Sequence, residues 1–302
     1  MPLIAFAWVF ISTAFQSTEI TTQTDVQLTH ESMIADAITA EIITSPRYPL
    51  ATTPMPCATI TDSGLLWLIN QNNRLEPDFI PKNLVSHQGI HLHAMAYVAY
   101  NQMQVALKAE GITNLQLASA YRPYSQQRDL FSKKVSVLKS QGYNTEAAIN
   151  LASETIQHPG ASEHQTGLAL DVTVTGDLTQ AFADTKAGMW LATHSHRFGF
   201  IIRYQKYKTD ITQITYEPWH LRYVGVPHAT IMFENNLALE EYAQFVKQKS
   251  TYIVNETHES SNVLYLIIYS DTWPSETPKG LVCISSLYPV GETGYILTIR
   301  PE

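Results

Sequence analysis

Three short segments combine side chains that bind metals or read charge with a Gly or Pro that fixes the backbone. They are Ser119-Ala120-Tyr121-Arg122-Pro123, Ser162-Glu163-His164-Gln165-Thr166-Gly167-Leu168-Ala169-Leu170-Asp171 and Glu217-Pro218-Trp219-His220. Between them they supply two His, an Asp, an Arg and a Glu free for proton transfer. Two imidazoles and a carboxylate suit a tetrahedral zinc site that leaves its fourth position to water, the arrangement of a catalytic rather than a structural site. A metal in such a site lowers the pKa of that water enough to make a nucleophile near neutral pH.

The spacing supports one site. His164 falls in a turn and Asp171 inside the apolar strand that follows, so a seven-residue offset brings the chain back across one ion from two directions. Asp171 is the only charged residue from Gln165 to Gly176. A carboxylate among Ala169, Leu170, Val172 and Val174 is costly to bury unless a metal or a cation pairs with it; a strand Asp on an exposed face is the alternative. Glu217 and His220 are three positions apart, which on an ideal strand sends them to opposite faces. For both to serve one site the chain must turn or bulge, and Pro218 suits this because it lacks a ladder donor and confines Glu217 to extended conformations. The role split gives His220 to the metal and Glu217 to the water as general base, the proton passing later to the leaving amine. Trp219 reads as packing.

These segments must be held by a folded domain, and the composition permits one. The chain has 302 residues, 45% hydrophobic and only 15% charged, against about 25% charged in an average globular protein. The net charge is -8, and no basic block is longer than two residues, which argues against a nucleic-acid binder, whose affinity needs a clustered cationic face. Cys57 and Cys283 have neither CxxC spacing nor the number for a metal cluster; they form one disulfide if the chain ends meet, or stay as two thiols. Residues 1–15 are apolar, too short to span a bilayer, and resemble a secretory signal peptide with Ser12 and Ala14 placed for cleavage. No later segment is apolar enough to cross a membrane. The signal-like start and a polarity drawn largely from Thr, Ser, Gln and Asn lead to an expected extracytoplasmic location.

Residues 16–60, rich in Thr, Ser and Pro, read as a lead-in with one short helix around Glu31 to Ile42. From 61 to 249 the pattern is that of a globular domain. Helical spacing runs from His87 to Glu110, from Tyr124 to Lys139, from Met189 to Arg197 and from about His228 to Val246. Strands are expected at Leu115–Ser119, Ala169–Val174, Phe200–Tyr204 and Tyr216–Val224. Without a regular βα repeat or a Gly-rich phosphate loop, the fold class is α+β: an antiparallel sheet with packed helices. Residues 250–302 change to short β-rich runs between Pro, Gly and Ser clusters and read as a small all-β appendage.

The blocks Ser-Ala-Tyr-Arg-Pro from Ser119, Ser-Glu-His-Gln-Thr-Gly-Leu-Ala-Leu-Asp from Ser162, Phe-Ile-Ile-Arg-Tyr from Phe200 and Glu-Pro-Trp-His-Leu-Arg-Tyr-Val-Gly from Glu217 resemble the signature of the VanY-type D-alanyl-D-alanine carboxypeptidases. The likeness covers roughly Leu65 to Val246 and leaves out the lead-in and the β-rich tail. It implies a D,D-peptidase/Hedgehog-like zinc fold, one zinc ion on His164, Asp171 and His220, and Glu217 as base. It further implies that Arg122 binds the terminal carboxylate of a peptidoglycan stem peptide, with Gln127, Ser162 and Tyr204 lining the pocket. A planar guanidinium holding a carboxylate bidentately agrees with that role, although an Arg before a Pro is by itself more often a surface charge. One departure is Pro123-Tyr124 after the Arg, where small residues are frequent in relatives.

The expected function is therefore zinc-dependent removal of a C-terminal D-alanine from stem peptides or precursors. The alternatives are an L,D-carboxypeptidase or endopeptidase using the same site, and a non-catalytic wall-binding module, which the presence of Glu217 disfavours. His87 and His91 have the spacing of two ligands on one helical face, but the Glu of a metalloprotease helix is replaced by Gln88.

Overall fold

The computed structural model describes residues 64–249, 251–258, 261–272, 281–288 and 294–300. The expected signal peptide, the lead-in with its helix, and Cys57 lie outside these residues. In chain order the elements are β1 (Leu84–His87), β2 (Ile90–His93), α1 (Ala94–Ala109), β3 (Gln116–Ser119), α2 (Tyr124–Ser140), α3 (Thr145–Ser153), β4 (Ala169–Thr173) and α4 (Lys186–His194). They continue with β5 (Phe200–Tyr204), α5 (Thr209–Thr212), β6 (Glu217–Tyr223), α6 (Val226–Glu234), α7 (Leu239–Lys249), β7 (Thr251–His258), β8 (Ser261–Ser270), β9 (Leu281–Ser286) and β10 (Tyr295–Arg300). The fold is α+β. A four-stranded sheet of order β3-β4-β6-β5, antiparallel throughout, carries the motifs, and a second antiparallel sheet of order β7-β8-β10-β9 closes the chain.

Two helices differ from the sequence expectation. The stretch from His87 to His93 is a hairpin, not the first turns of a helix: Gln88 and Gly89 both take positive φ, 49° and 83°, as a tight two-residue turn requires. The His93 side chain then caps α1 by accepting from Met95 N at 3.3 Å. His87 and His91 accordingly lie on paired strands and share no helical face. The helix expected from His228 to Val246 is two, separated at Asn235-Asn236, where Asn236 adopts φ 51°. Asn tolerates this left-handed conformation better than most residues. A helix not anticipated, α3, starts where Asn144 Oδ1 accepts from Ala147 N at 2.9 Å.

Helix α1 buries Ala96, Ala99, Tyr100, Met103 and Leu107, which join Leu170, Val172 and Leu221 of the sheet in one core. Each such large apolar side chain contributes about 1.5–3 kcal/mol relative to exposure. The C-terminal sheet is part of the same core through Tyr265, Ile267, Cys283, Leu287 and Ile296. Cys283 is disulfide-bonded. Polar contacts add to the join: Ser285 Oγ accepts from Leu66 N at 2.9 Å, Ser286 Oγ from Trp67 Nε1 at 2.7 Å, and Leu287 O from Leu68 N at 2.8 Å. Among the described residues no helix is long and apolar enough to cross a membrane.

His228 of α6 is buried between α7 and β10, with Nδ1 2.7 Å from Tyr242 Oη and Nε2 2.9 Å from Thr298 Oγ1. Burial pushes its imidazole down to about 3, whereas an unfolded His titrates near 6.5. The folded chain thus keeps His228 neutral where the unfolded chain takes a proton. Its contribution is intact above pH 6.5 and is lost as pH falls toward 3, at up to about 1.4 kcal/mol per pH unit. Thermal melts of a His228→Gln variant should lose stability less steeply than the parent between pH 6.5 and 4; parallel slopes would contradict a buried neutral imidazole.

Candidate active site

Register places the first side chains. Ser119 of β3 is paired with Asp171 of β4, and Asp171 with His220 of β6, so one row crosses three strands and presents its side chains on one face. The row depends on two irregularities. Leu117 and Ser119 on β3 oppose the adjacent Val172 and Asp171, leaving one extra residue on β3. Between Ile202 and Tyr204 of β5, β6 runs from Leu221 to Glu217, so that two steps face four. This second bulge answers the expectation that Glu217-Pro218-Trp219-His220 must depart from an ideal strand. It lets Glu217 Oε2 come within 3.5 Å of His220 Nδ1. Trp219 packs against the core.

His164 arrives from a different direction, on the short 3-10 turn Glu163–Thr166. Two hydrogen bonds tie that turn to the segment after β3: Arg122 N donates to His164 O at 3.1 Å, and His164 Nδ1 lies 2.6 Å from Ala120 O. A carbonyl only accepts, so Nδ1 carries the proton and the Nε2 lone pair faces the sheet. Gly167 ends the turn at φ 71°, and its carbonyl accepts from His93 N at 2.8 Å.

The ligand atoms of His164, Asp171 and His220 all lie within 4.8 Å of one another, and all three residues are buried. His164 Nε2 is 3.3 Å from Asp171 Oδ2, and His220 Nδ1 is 3.2 Å from Asp171 Oδ1. Oδ1 nevertheless has no hydrogen-bond donor among the described residues. A carboxylate oxygen without a donor beside two imidazole nitrogens within 4.8 Å is what a divalent cation would satisfy, and two N and one O donors fit zinc. Burial lowers the pKa of His164, which keeps it available as a neutral ligand.

Around this triad lie the other expected residues. Glu217 is pushed up to about 7, chiefly by burial and further by Asp171, against His220 and Arg122. Arg122 donates from Nη2 to Ser119 Oγ at 3.0 Å and from Nη1 to Gln127 Oε1 at 2.8 Å, and its Nη2 lies 3.6 Å from Asp171 Oδ2. Gln127 is in turn fixed by donating to Gln157 O at 2.6 Å. Tyr204 is paired with Glu217 in register, and its ring centroid is 4.9 Å from that of His220. Burial raises the Tyr204 phenol, so it stays protonated, and its hydroxyl meets the Gln157 side chain. Ser162 is buried immediately before the His164 turn, where its carbonyl accepts from Gln165 N. Gln157, which links Gln127 to Tyr204, went unnoticed in the sequence because nothing in its own neighbourhood marks it.

A second group was also missed. Glu163 Oε1 lies 2.8 Å from Arg203 Nε and 3.0 Å from Arg222 Nη1, all three residues being buried. Arg203 also holds Glu240 of α7 bidentately at 2.6 and 2.8 Å. The signal was present for Arg203, which interrupts the apolar strand Phe200–Tyr204 as Asp171 interrupts β4.

The comparisons with known proteins point the same way. Residues 89–226 match the VanY family model, described as D-alanyl-D-alanine carboxypeptidase. The protein YodJ of Bacillus subtilis is 38% identical over 198 residues, 61% of this chain and 69% of that one. A vancomycin-resistance D,D-pentapeptidase VanY from a VanB-type cassette, solved in complex with Zn(II), is 34% identical with a TM-score of 0.54, covering 60% of this chain and 99% of that one. The LdcB LD-carboxypeptidase is 37% identical with a TM-score of 0.54, over 60% of this chain and 86% of that one.

The turn carrying His164 depends on Gly167, where an added Cβ would meet Leu84 Cδ2 at 2.8 Å and His93 N at 3.1 Å at a φ that L-residues disfavour. A Gly167→Ala variant should be less stable by about 1–3 kcal/mol in denaturant melts; an unchanged midpoint would show that the turn tolerates another conformation.

Proposed function

This chain belongs to the VanY family of D-alanyl-D-alanine carboxypeptidases, and from that membership we propose that it removes the C-terminal D-alanine from peptidoglycan stem peptides or their precursors. The reading places its work outside the cytoplasm. The observation that carries it is the convergence of His164, Asp171 and His220 beside both Glu217 and Arg122. One zinc ion, held by those three ligands, would supply Lewis-acid polarisation of a carbonyl and a water acidified toward neutral pH.

The chain's own residues account for the rest. Arg122 has five donors, of which Gln127 and Ser119 take two, leaving others for a substrate carboxylate. Its guanidinium lies 3.6 Å from a metal-ligand oxygen, so a peptide end held there brings its last peptide bond to the triad. This limits cleavage to the final residue. Glu217, whose carboxyl is pushed upward by burial, can take a proton from water and return it to the departing amine. Gln127 and Gln157 hold the clamp and Tyr204 in one arrangement, reducing what must be ordered on binding.

The likeness to the LdcB LD-carboxypeptidase supports a second reading, in which the same clamp and base act on a tetrapeptide. The zinc-loaded chain incubated with a stem pentapeptide should release one alanine, and a chelator should stop it; release from the tetrapeptide alone would favour the L,D reading. A C-terminally amidated pentapeptide should resist cleavage, and its turnover would remove Arg122 from its role. Glu217→Ala should lower kcat by about 100- to 10,000-fold with zinc still bound; full activity would contradict the base assignment.

A further inference from the structure

We propose that Glu163 is a positioning residue that presents His220 to the metal through Nδ1, an inference that rests on the reading of His164, Asp171 and His220 as metal ligands. The two histidines meet the centre through opposite ring nitrogens. His164 uses Nε2 because its Nδ1 proton is taken by Ala120 O, whereas His220 has Nδ1 beside Asp171 and Glu217 and turns Nε2 away. Facing that Nε2 at 3.9 Å is Glu163 Oε2. Both atoms are buried, and neither has any other hydrogen-bond partner among the described residues.

Glu163 is prevented from turning elsewhere. Its Oε1 is held by Arg203 and Arg222, and Arg222 Nη2 donates to Leu65 O at 3.1 Å and Trp67 O at 3.2 Å. One carboxylate oxygen is thus anchored on two guanidinium groups and the other is aimed at the imidazole. An ionised carboxylate only accepts, so in this dry setting it favours the tautomer with the proton on Nε2 and the lone pair on Nδ1. The opposite tautomer would set a lone pair against a buried negative charge. Metal-bound histidines commonly have their second nitrogen oriented by such a partner, whose loss typically costs 10- to 100-fold in metal affinity. The arginines therefore act on the centre at one remove, by keeping Glu163 charged and fixed.

The test compares zinc affinities of the full chain, measured by competition with a chelator, for the parent, Glu163→Gln and Glu240→Gln. Glu240→Gln loosens the same network at its far end without approaching His220. Glu163→Gln should bind zinc about 10- to 100-fold more weakly, while Glu240→Gln stays within about threefold of the parent. Equal losses in both variants, or none in Glu163→Gln, would overturn the proposal and leave the metal site standing. A parent that fails to bind zinc would overturn the metal site itself, and this inference with it. Should Glu163→Gln not fold, nitrogen NMR of the zinc-loaded parent decides: His220 protonated on Nε2 and His164 on Nδ1 is the expected pattern, and His220 bound through Nε2 would refute the role.

Discussion

A carboxylate withdrawn from water must find positive charge nearby, and this sheet buries two of them in adjacent segments. Around Glu163 the protein itself supplies the charge, with two guanidinium groups on one oxygen. Around Asp171 it supplies an arginine 3.6 Å away and two imidazole nitrogens, and leaves one oxygen without a donor. The first carboxylate has one oxygen between two arginines and the other facing His220; the second keeps the orphaned oxygen that a cation would complete. Since breaking a buried pair costs about 3–5 kcal/mol, the elements that bring the partners together are bound tightly to the requirement.

That requirement reaches well beyond the strands that bear the ligands. Arg222 is held by the carbonyls of Leu65 and Trp67, and that segment is itself held by Ser285, Ser286 and Leu287 of the C-terminal sheet. Glu240 brings in α7, whose end leads into the same sheet. The C-terminal strands therefore share the core and brace the residues beneath the site. Arg122 receives comparable support on its own side, from Gln127 and, behind it, Gln157.

What could be read from the sequence was whatever depends on neighbours along the chain. The alternation of β4, the helical spacing of α2 and the apolar setting of Asp171 are local, and each element lies within a few residues of its expected place. The bulge at Glu217 to His220 followed from spacing and Pro218 alone. The misreadings have equally physical causes. His87 to His93 has a pattern compatible with helix, and only the positive φ at Gln88 and Gly89 turns it into a hairpin. Arg203 carried the same warning as Asp171, a charge in an apolar strand, but its partner Glu163 lies 40 residues away, and Glu240 lies 37 away. Long-range pairing of buried charges leaves no periodic trace.

The central claim is that three side chains from two strands and one turn hold a single divalent ion, each through a stated atom. Crystals of the zinc-loaded protein, with anomalous scattering measured on both sides of the zinc edge, address it most directly. The account predicts one peak bounded by His164 Nε2, the Asp171 carboxylate and His220 Nδ1, with Glu217 beside it. A peak held by other donors, or none at this place, would contradict it.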